Sequence, residues 1–375
     1  MVQVRSVGLL ERSVVEEVLK APRYELSRFS LDRENYSIMD DNSMPFPPSQ
    51  KVWEAISKIE LNRYPNLTSE AARKKISEYL SVKPENILIG NGSMELIDVI
   101  ARTFIERGDE AIVLTPSYTP YVTRVALCGG KPIQVDRKKD FEWDLNEVKK
   151  AISPKTKLIF ICNPNNPTGT IFEEEFIRAI LEEGKITIID EAYAEFCSEK
   201  LVNNYADLLE RENVIVMRTL SKAFALAGIR FGYILANPEM IELLFAVKVP
   251  LSVNLIAQTA AVAALSDINY MKKNVNEIRR SREWLIKELQ QVDGLMPYPS
   301  EANFIPIKIL TKRINSVKLV RVLREKYRIL VRGLEDFYGL NDSYFRITVG
   351  RMEQNEKCIA AIKEIMADCL GNPAS

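Results

Sequence analysis

Between about residues 50 and 250 the sequence alternates short apolar runs with helical patterns, and that alternation restricts the fold more tightly than any other feature. Residues 87–89, 110–114, 157–162, 186–189 and 213–217 read as buried strands, and 93–105, 173–183 and 238–245 as helices. Strands separated by helices imply an α/β architecture, a mostly parallel sheet covered on both faces. From about residue 255 the pattern changes. Helical stretches at 255–265 and 270–292 precede 303–308 and 344–348, which read as strands of a smaller α+β domain. The 375 residues suffice for two domains, each with its own core. The expected division is an N-terminal arm contributing part of the small domain (1–50), a large α/β domain (51–260) and a small α+β domain (261–375). The arm reads as irregular apart from a short amphipathic helix at 13–20. It ends in Met44-Pro45-Phe46-Pro47-Pro48-Ser49, where proline removes backbone donors and favours an extended path.

The chain contains no histidine. Imidazole is the usual base, nucleophile activator and zinc ligand near neutral pH, so Ser-His-Asp and Cys-His catalysis and His-ligated metal sites are excluded. Proton transfer falls to lysine, tyrosine, cysteine or a carboxylate. Cys128, Cys162, Cys197, Cys358 and Cys369 show no C-x-x-C spacing and read as reduced, mostly buried thiols, and no metal site is expected. Fifty-one basic residues balance 51 acidic ones with no long basic run, which argues against a nucleic-acid or membrane-surface binder. The first 20 residues do not read as a signal peptide, and no apolar run reaches the length of a membrane span. A cytoplasmic location is expected.

In an open parallel sheet, ligands sit beyond the carboxyl ends of the strands. Four strand ends carry polar residues: Gly90-Asn91-Gly92-Ser93, Asn163-Pro164-Asn165-Asn166-Pro167-Thr168-Gly169, Asp190-Glu191-Ala192-Tyr193, and Arg218-Thr219-Leu220-Ser221-Lys222 with Arg230 eight residues on. Singly each has an ordinary explanation: a strand-end Asp often caps a helix, and an Asn before Pro often makes a turn. Together they supply what pyridoxal phosphate requires. Its aldehyde needs a lysine, its ring nitrogen a carboxylate, its 3-oxygen hydrogen-bond donors, and its phosphate a helix N-terminus, hydroxyls and an arginine. No Walker lysine follows the glycine turn, so it is not a P-loop.

The motifs N-P-N-N-P-T-G, D-E-A-Y-A-E-F and T-L-S-K-A-F-A-L-A-G-I-R-F-G-Y together resemble the fold-type I pyridoxal-phosphate-dependent aminotransferases, and among them the histidinol-phosphate aminotransferases. The resemblance runs from Tyr64, in Asn62-Arg63-Tyr64-Pro65, through Phe345-Arg346-Ile347-Thr348-Val349-Gly350. It implies a mostly parallel seven-stranded central sheet with helices on both faces, plus a smaller α+β domain. It implies further that Lys222 binds the cofactor aldehyde and moves the proton, that Asp190 pairs with the ring nitrogen, and that Tyr193 and Asn166 donate to the 3-oxygen. Tyr118 would stack on the ring. Gly92, Ser93 and Met94 would offer backbone to the phosphate, joined by Thr219, Ser221 and Arg230. Tyr64 would reach the phosphate in a partner subunit, so a homodimer with shared sites is implied.

For the substrate, the resemblance points to Arg346 and Arg332 as holders of an anionic group, to Tyr24 as an N-terminal contact, and to Asn42 at the entrance. The family's N-E-N-P-[YF]-G-P reads Asn42-Ser43-Met44-Pro45-Phe46-Pro47-Pro48 here, a departure at three positions. The implied reaction interconverts histidinol phosphate and imidazole-acetol phosphate with 2-oxoglutarate and glutamate as the second pair. Threonine-phosphate decarboxylation and aromatic amino-acid transamination are alternatives with the same lysine, carboxylate and arginines. A cofactor-sensing regulator would need a basic helix-turn-helix region, and the residues before the core are too few and too uncharged for one.

Overall fold

The computed structural model of the chain describes residue 18, residues 33–198 and residues 205–371. The expected helix at 13–20, Val18 apart, and Tyr24 lie outside the described residues. Twelve strands are found among the described residues: β1 (Ser37–Met39), β2 (Ile87–Gly90), β3 (Glu110–Thr115), β4 (Lys131–Asp136), β5 (Thr156–Cys162), β6 (Ile186–Asp190), β7 (Val214–Thr219), β8 (Gly232–Leu235), β9 (Leu295–Pro297), β10 (Phe304–Ile309), β11 (Ile329–Gly333) and β12 (Tyr344–Thr348). Seven form one sheet in the order β2-β8-β7-β6-β5-β3-β4, and five form a second in the order β1-β11-β12-β10-β9. In the larger sheet only β8 runs against its neighbours.

The apolar runs become strands because both faces of the larger sheet are covered. Along β5, Leu158 and Phe160 enter one core while Ile159 and Ile161 enter the other; along β7, Ile215 and Met217 oppose Val214 and Val216 in the same way. Near-continuous hydrophobic strands suit a parallel sheet between two helical layers. The amphipathic helix Gly92–Phe104 supplies Leu96, Ile97 and Ile100 to one layer. The helix Leu255–Leu265 supplies Ala257, Ala260 and Ala261 to the other.

Several strands were not foreseen, each for a local reason. β4 is an edge strand carrying Pro132 and paired on one side only, so it lacks the continuous apolar run of a central strand. β8 is four residues long and begins with Gly232. A Cβ on Gly232 would lie 2.8 Å from the Gly92 carbonyl carbon and the Ser93 nitrogen, so glycine lets β8 close against the helix start. β1 and β9 have three residues each, and β1 pairs in parallel with β11, Ser37 opposite Ile329. Part of the polar arm is thereby a strand of the second sheet.

Candidate active site

The strands β5 and β6 end level, with Cys162 paired to Asp190, and Asp190 pairs in turn with Met217 of β7. Beyond these ends lies a cavity of about 670 Å³. Asn42, Ser93, Met94, Tyr118, Asn166, Asp190, Tyr193, Thr219, Ser221, Lys222, Arg230, Arg332 and Arg346 all line it. Gly92 stands beside it, at the start of its helix. Tyr64 is elsewhere: it lies outside the cavity and is 87% exposed on the isolated chain.

Asp190 forms the floor. It is buried, Tyr121 donates to Oδ2 at 2.6 Å, and the Ala192 backbone N–H donates to Oδ1 at 3.0 Å. Burial pushes its pKa up to about 6, against the pull of those donors and of Lys222. The Tyr121 ring stacks on Phe160 at a centroid distance of 4.8 Å, which fixes the hydroxyl under the carboxylate. Tyr121 was missed in the sequence, because its partner lies 69 residues away.

Lys222 follows the end of β7. Its Nζ donates to the Asp41 carbonyl oxygen at 3.1 Å and lies 5.7 Å from the Tyr193 ring centroid. Burial holds its pKa at about 8, with Arg346 and Arg230 lowering it and Asp41 and Asp190 raising it. A neutral amine is the nucleophile toward an aldehyde. Mixing the ligand-free protein with pyridoxal phosphate should therefore give an attachment rate that climbs about tenfold per pH unit below 8 and levels off above it. Stopped-flow absorbance between pH 6.5 and 9.5 measures this, and a rate flat across that range would contradict it.

On the side toward the smaller sheet, Asn42 Nδ2 donates to the Tyr193 hydroxyl oxygen at 2.8 Å, and Thr348 Oγ1 donates to Asn42 Oδ1 at 3.1 Å. With its oxygen accepting from Asn42, Tyr193 retains its own hydroxyl hydrogen for the cavity, and burial raises its pKa and keeps the phenol protonated. Arg346 Nη1 donates to Asn166 Oδ1, which leaves the Asn166 NH₂ as the donor end, and Arg346 Nη2 donates to the Asp40 carbonyl oxygen at 3.1 Å. The guanidinium lies 4.9 Å from the Phe304 ring centroid. Asp40, Asp41 and Asp336 are further cavity residues that sequence reasoning did not single out.

At the other end, Thr219 Oγ1 lies 2.8 Å from Ser221 Oγ and 2.9 Å from the Phe231 carbonyl oxygen, and Arg230 Nη1 reaches the Ala227 carbonyl oxygen at 2.8 Å. Gly92 has φ +78°, and a Cβ there would lie 2.4 Å from Arg230 Nη2. Glycine is required twice over, for the left-handed backbone and for the approach of the guanidinium. Arg230 and Asn42 themselves have φ of 62° and 58°. Such conformations cost about 1 kcal/mol or more each and persist where the surroundings impose them. The helix start, two hydroxyls and one guanidinium thus converge as an anion cradle.

This donor set fits pyridoxal phosphate: an anion cradle bounded by a glycine that admits no side chain, a buried carboxylate on the floor, two donors opposite, and one amine. The comparisons agree. Residues 35–362 match the family described as aminotransferase class I and II. The chain is 37% identical, over 96% of its own length and 100% of the relative's, to a histidinol-phosphate aminotransferase of Caldanaerobacter subterraneus subsp. tengcongensis. It is 34% identical to one of Methanocaldococcus jannaschii, over 96% and 99%. A solved structure of histidinol-phosphate aminotransferase from Sinorhizobium meliloti, in complex with pyridoxal-5'-phosphate, superposes with a TM-score of 0.87 at 25% identity, covering 95% of this chain and 98% of that one. The family match spans the strands of both sheets and the cavity residues named above, and the chain belongs to the class I and II aminotransferases.

Proposed function

We propose that the chain is a pyridoxal-phosphate-dependent aminotransferase that takes histidinol phosphate as amino donor and 2-oxoglutarate as acceptor. The convergence of Lys222, Asp190 and the Arg332–Arg346 pair on one cavity carries this reading. Bound there, the cofactor supplies an aldehyde that accepts the amino group and a ring that takes up the electron pair of the broken C–H bond. Lys222 would hold that aldehyde at rest, and its amine would carry the proton taken from the amine-bearing carbon of the substrate. Asp190 keeps the ring nitrogen protonated. Tyr193 and the Asn166 NH₂ would donate to the 3-oxygen, and Tyr118 would pack against the ring. Ser93 and Met94 backbone, Thr219, Ser221 and Arg230 retain the phosphate. Arg346 and Arg332 bind the anionic group of the substrate, and Asn42 acts through its hydrogen bond to Tyr193 as well as at the entrance.

The reading includes a homodimer in which Tyr64 serves the partner's site. Its support is the exposure of Tyr64, with Trp53, Leu61 and Leu67 of the same stretch also exposed. It includes a large domain at 51–260 and a small one at 261–375, supported by the separation of the two sheets. It includes a cytoplasmic location, which free cysteines suit; among the described residues no helix is long and apolar enough to cross a membrane.

Histidinol phosphate added to the cofactor-loaded protein should shift its visible absorbance, and 2-oxoglutarate should restore it. A shift with another amine but none with histidinol phosphate would reject the substrate and keep the reaction class. Carbon dioxide released from O-phosphothreonine without an oxo acid would assign a decarboxylase instead.

A further inference from the structure

Thr348, the last residue of β12, stands behind the cavity wall and is buried together with Asn303 and Asn42. These two neighbours hold Asn42 at three points. The Asn42 backbone N–H donates to Thr348 Oγ1 at 3.0 Å, Thr348 Oγ1 donates to Asn42 Oδ1 at 3.1 Å, and Asn303 Nδ2 donates to the Asn42 carbonyl oxygen at 3.1 Å. The φ of 58° at Asn42 suits these bonds, and asparagine is among the side chains that tolerate it best. Asn303 and Thr348 are fixed by the second sheet: the Val349 N–H donates to the Asn303 carbonyl oxygen at 2.9 Å, and Phe304 lies opposite Thr348.

A backbone N–H can only donate, so it sets the direction of every bond that follows. Thr348 Oγ1 accepts from the Asn42 backbone, which turns its own hydrogen toward Asn42 Oδ1. The Asn42 amide then has its oxygen toward Thr348 and its nitrogen toward Tyr193, whose hydroxyl oxygen accepts from Nδ2 at 2.8 Å. Phe304 braces the Tyr193 ring edge-on, with centroids 5.1 Å apart and planes at 88°. Packing thus places the phenol, and the direction of its hydrogen is what remains to be set. Without the Thr348 hydroxyl the amide is free to turn over. Its oxygen would then face Tyr193 and take the phenol hydrogen for itself.

We propose that Thr348 is a positioning residue that sets the acid–base poise of the cofactor linkage through the directed chain Thr348–Asn42–Tyr193. The inference rests on the reading that Tyr193 donates to the cofactor's 3-oxygen. Negative charge on that oxygen holds the proton on the nitrogen joining Lys222 to the cofactor, and a donor to the oxygen takes up part of the charge. Hydrogen bonds in a chain polarise one another, so Asn42 strengthens the Tyr193 hydroxyl as a donor. The linkage nitrogen then loses its proton at a lower pH than it would with Tyr193 turned away.

The test titrates the visible absorbance of the resting, cofactor-loaded protein from about pH 5 to about pH 10, with no substrate present. Thr348→Val should raise the midpoint by about 0.5–1 pH unit, and Thr348→Ala, which removes the same hydroxyl without adding a methyl, should do likewise. Thr348→Ser restores both donor and acceptor and should titrate within about 0.2 of the wild type. Tyr193→Phe should raise the midpoint further, by about 1–2, and in that background Thr348→Val should add nothing. An unmoved midpoint in the valine and alanine variants would overturn the proposal, as would a serine variant that titrates like valine. An equal rise with and without the Tyr193 hydroxyl would also overturn it, because Thr348 would then act by packing alone. Those failures leave the role of Tyr193 standing. A Tyr193→Phe protein that titrates like the wild type would take down that role and the proposal with it.

Discussion

The Lys222→Ala variant is expected to lose at least roughly 10⁴-fold of its turnover with histidinol phosphate. Among the described residues that line the cavity Lys222 is the one lysine, and the chain has no histidine to replace it as a proton carrier. The hydroxyls nearby, Tyr193 and Tyr121, are held protonated by burial and cannot act as bases near neutral pH. Removal of the side chain sacrifices one hydrogen bond, to the Asp41 carbonyl oxygen, and relieves the cost of a buried amine whose pKa is already depressed to about 8. The ligand-free variant should therefore melt no lower than the wild type, which separates lost chemistry from lost folding. Two measurements check the result: single-turnover absorbance, and mass after borohydride treatment. The wild type should gain a cofactor adduct on a peptide containing residue 222, and the variant should gain none. A variant retaining more than about one per cent of turnover would remove Lys222 from the proposed role.

Asp190→Asn is expected to cost roughly 10³-fold in turnover, and its stability effect should have the opposite sign. In the ligand-free protein, burial raises the Asp190 pKa from an ordinary 3.8 to about 6. A group with a raised folded-state pKa contributes stability that is fully present below its unfolded value and lost as pH rises through the folded one. The window here runs from about pH 4 to about pH 6, and above it the ionised carboxylate costs the fold on the order of 3 kcal/mol. Asparagine retains one acceptor for Ala192 and presents no charge. The ligand-free variant should melt higher than the wild type at pH 7.5 and should lose that advantage near pH 4. Cofactor should raise the melting temperature of the wild type more than that of the variant, because a cationic ring nitrogen is what the buried carboxylate lacks. A variant as active as the wild type, or less stable at pH 7.5, would contradict this account.

The central strands and the cavity floor were legible because they follow local rules. A strand buried on both faces is mostly apolar, as β5, β6 and β7 are, and the polar residues a ligand meets gather at and beyond their carboxyl ends. Glycine at position 92 and the Lys222 and Arg230 segment were legible for the same reason, since chemistry and backbone demand those types there. What escaped depends on partners distant in sequence. Tyr121 has meaning only beneath Asp190, and Asp336 only beside Arg332, whose neighbour Arg346 is itself fixed by strand pairing. Short edge strands escaped for a different reason: three residues such as Ser37–Met39 carry no periodicity, and their pairing with β11 comes from tertiary contact. Tyr64 enters by resemblance alone, and it lies outside the cavity.

The pairing of β1 with β11 also bears on biosynthesis. Ser37 finds Ile329 only after some 290 further residues have emerged, an interval of about 15–60 seconds at ordinary elongation rates. Throughout it the peptide groups of β1 have water in place of β11 as partner, and the backbone carbonyl of Asp40 has yet to meet Arg346. Half-made chains, even with the seven-stranded sheet assembled, thus carry an unfinished pocket, and competence arrives only after β11 and β12 have emerged.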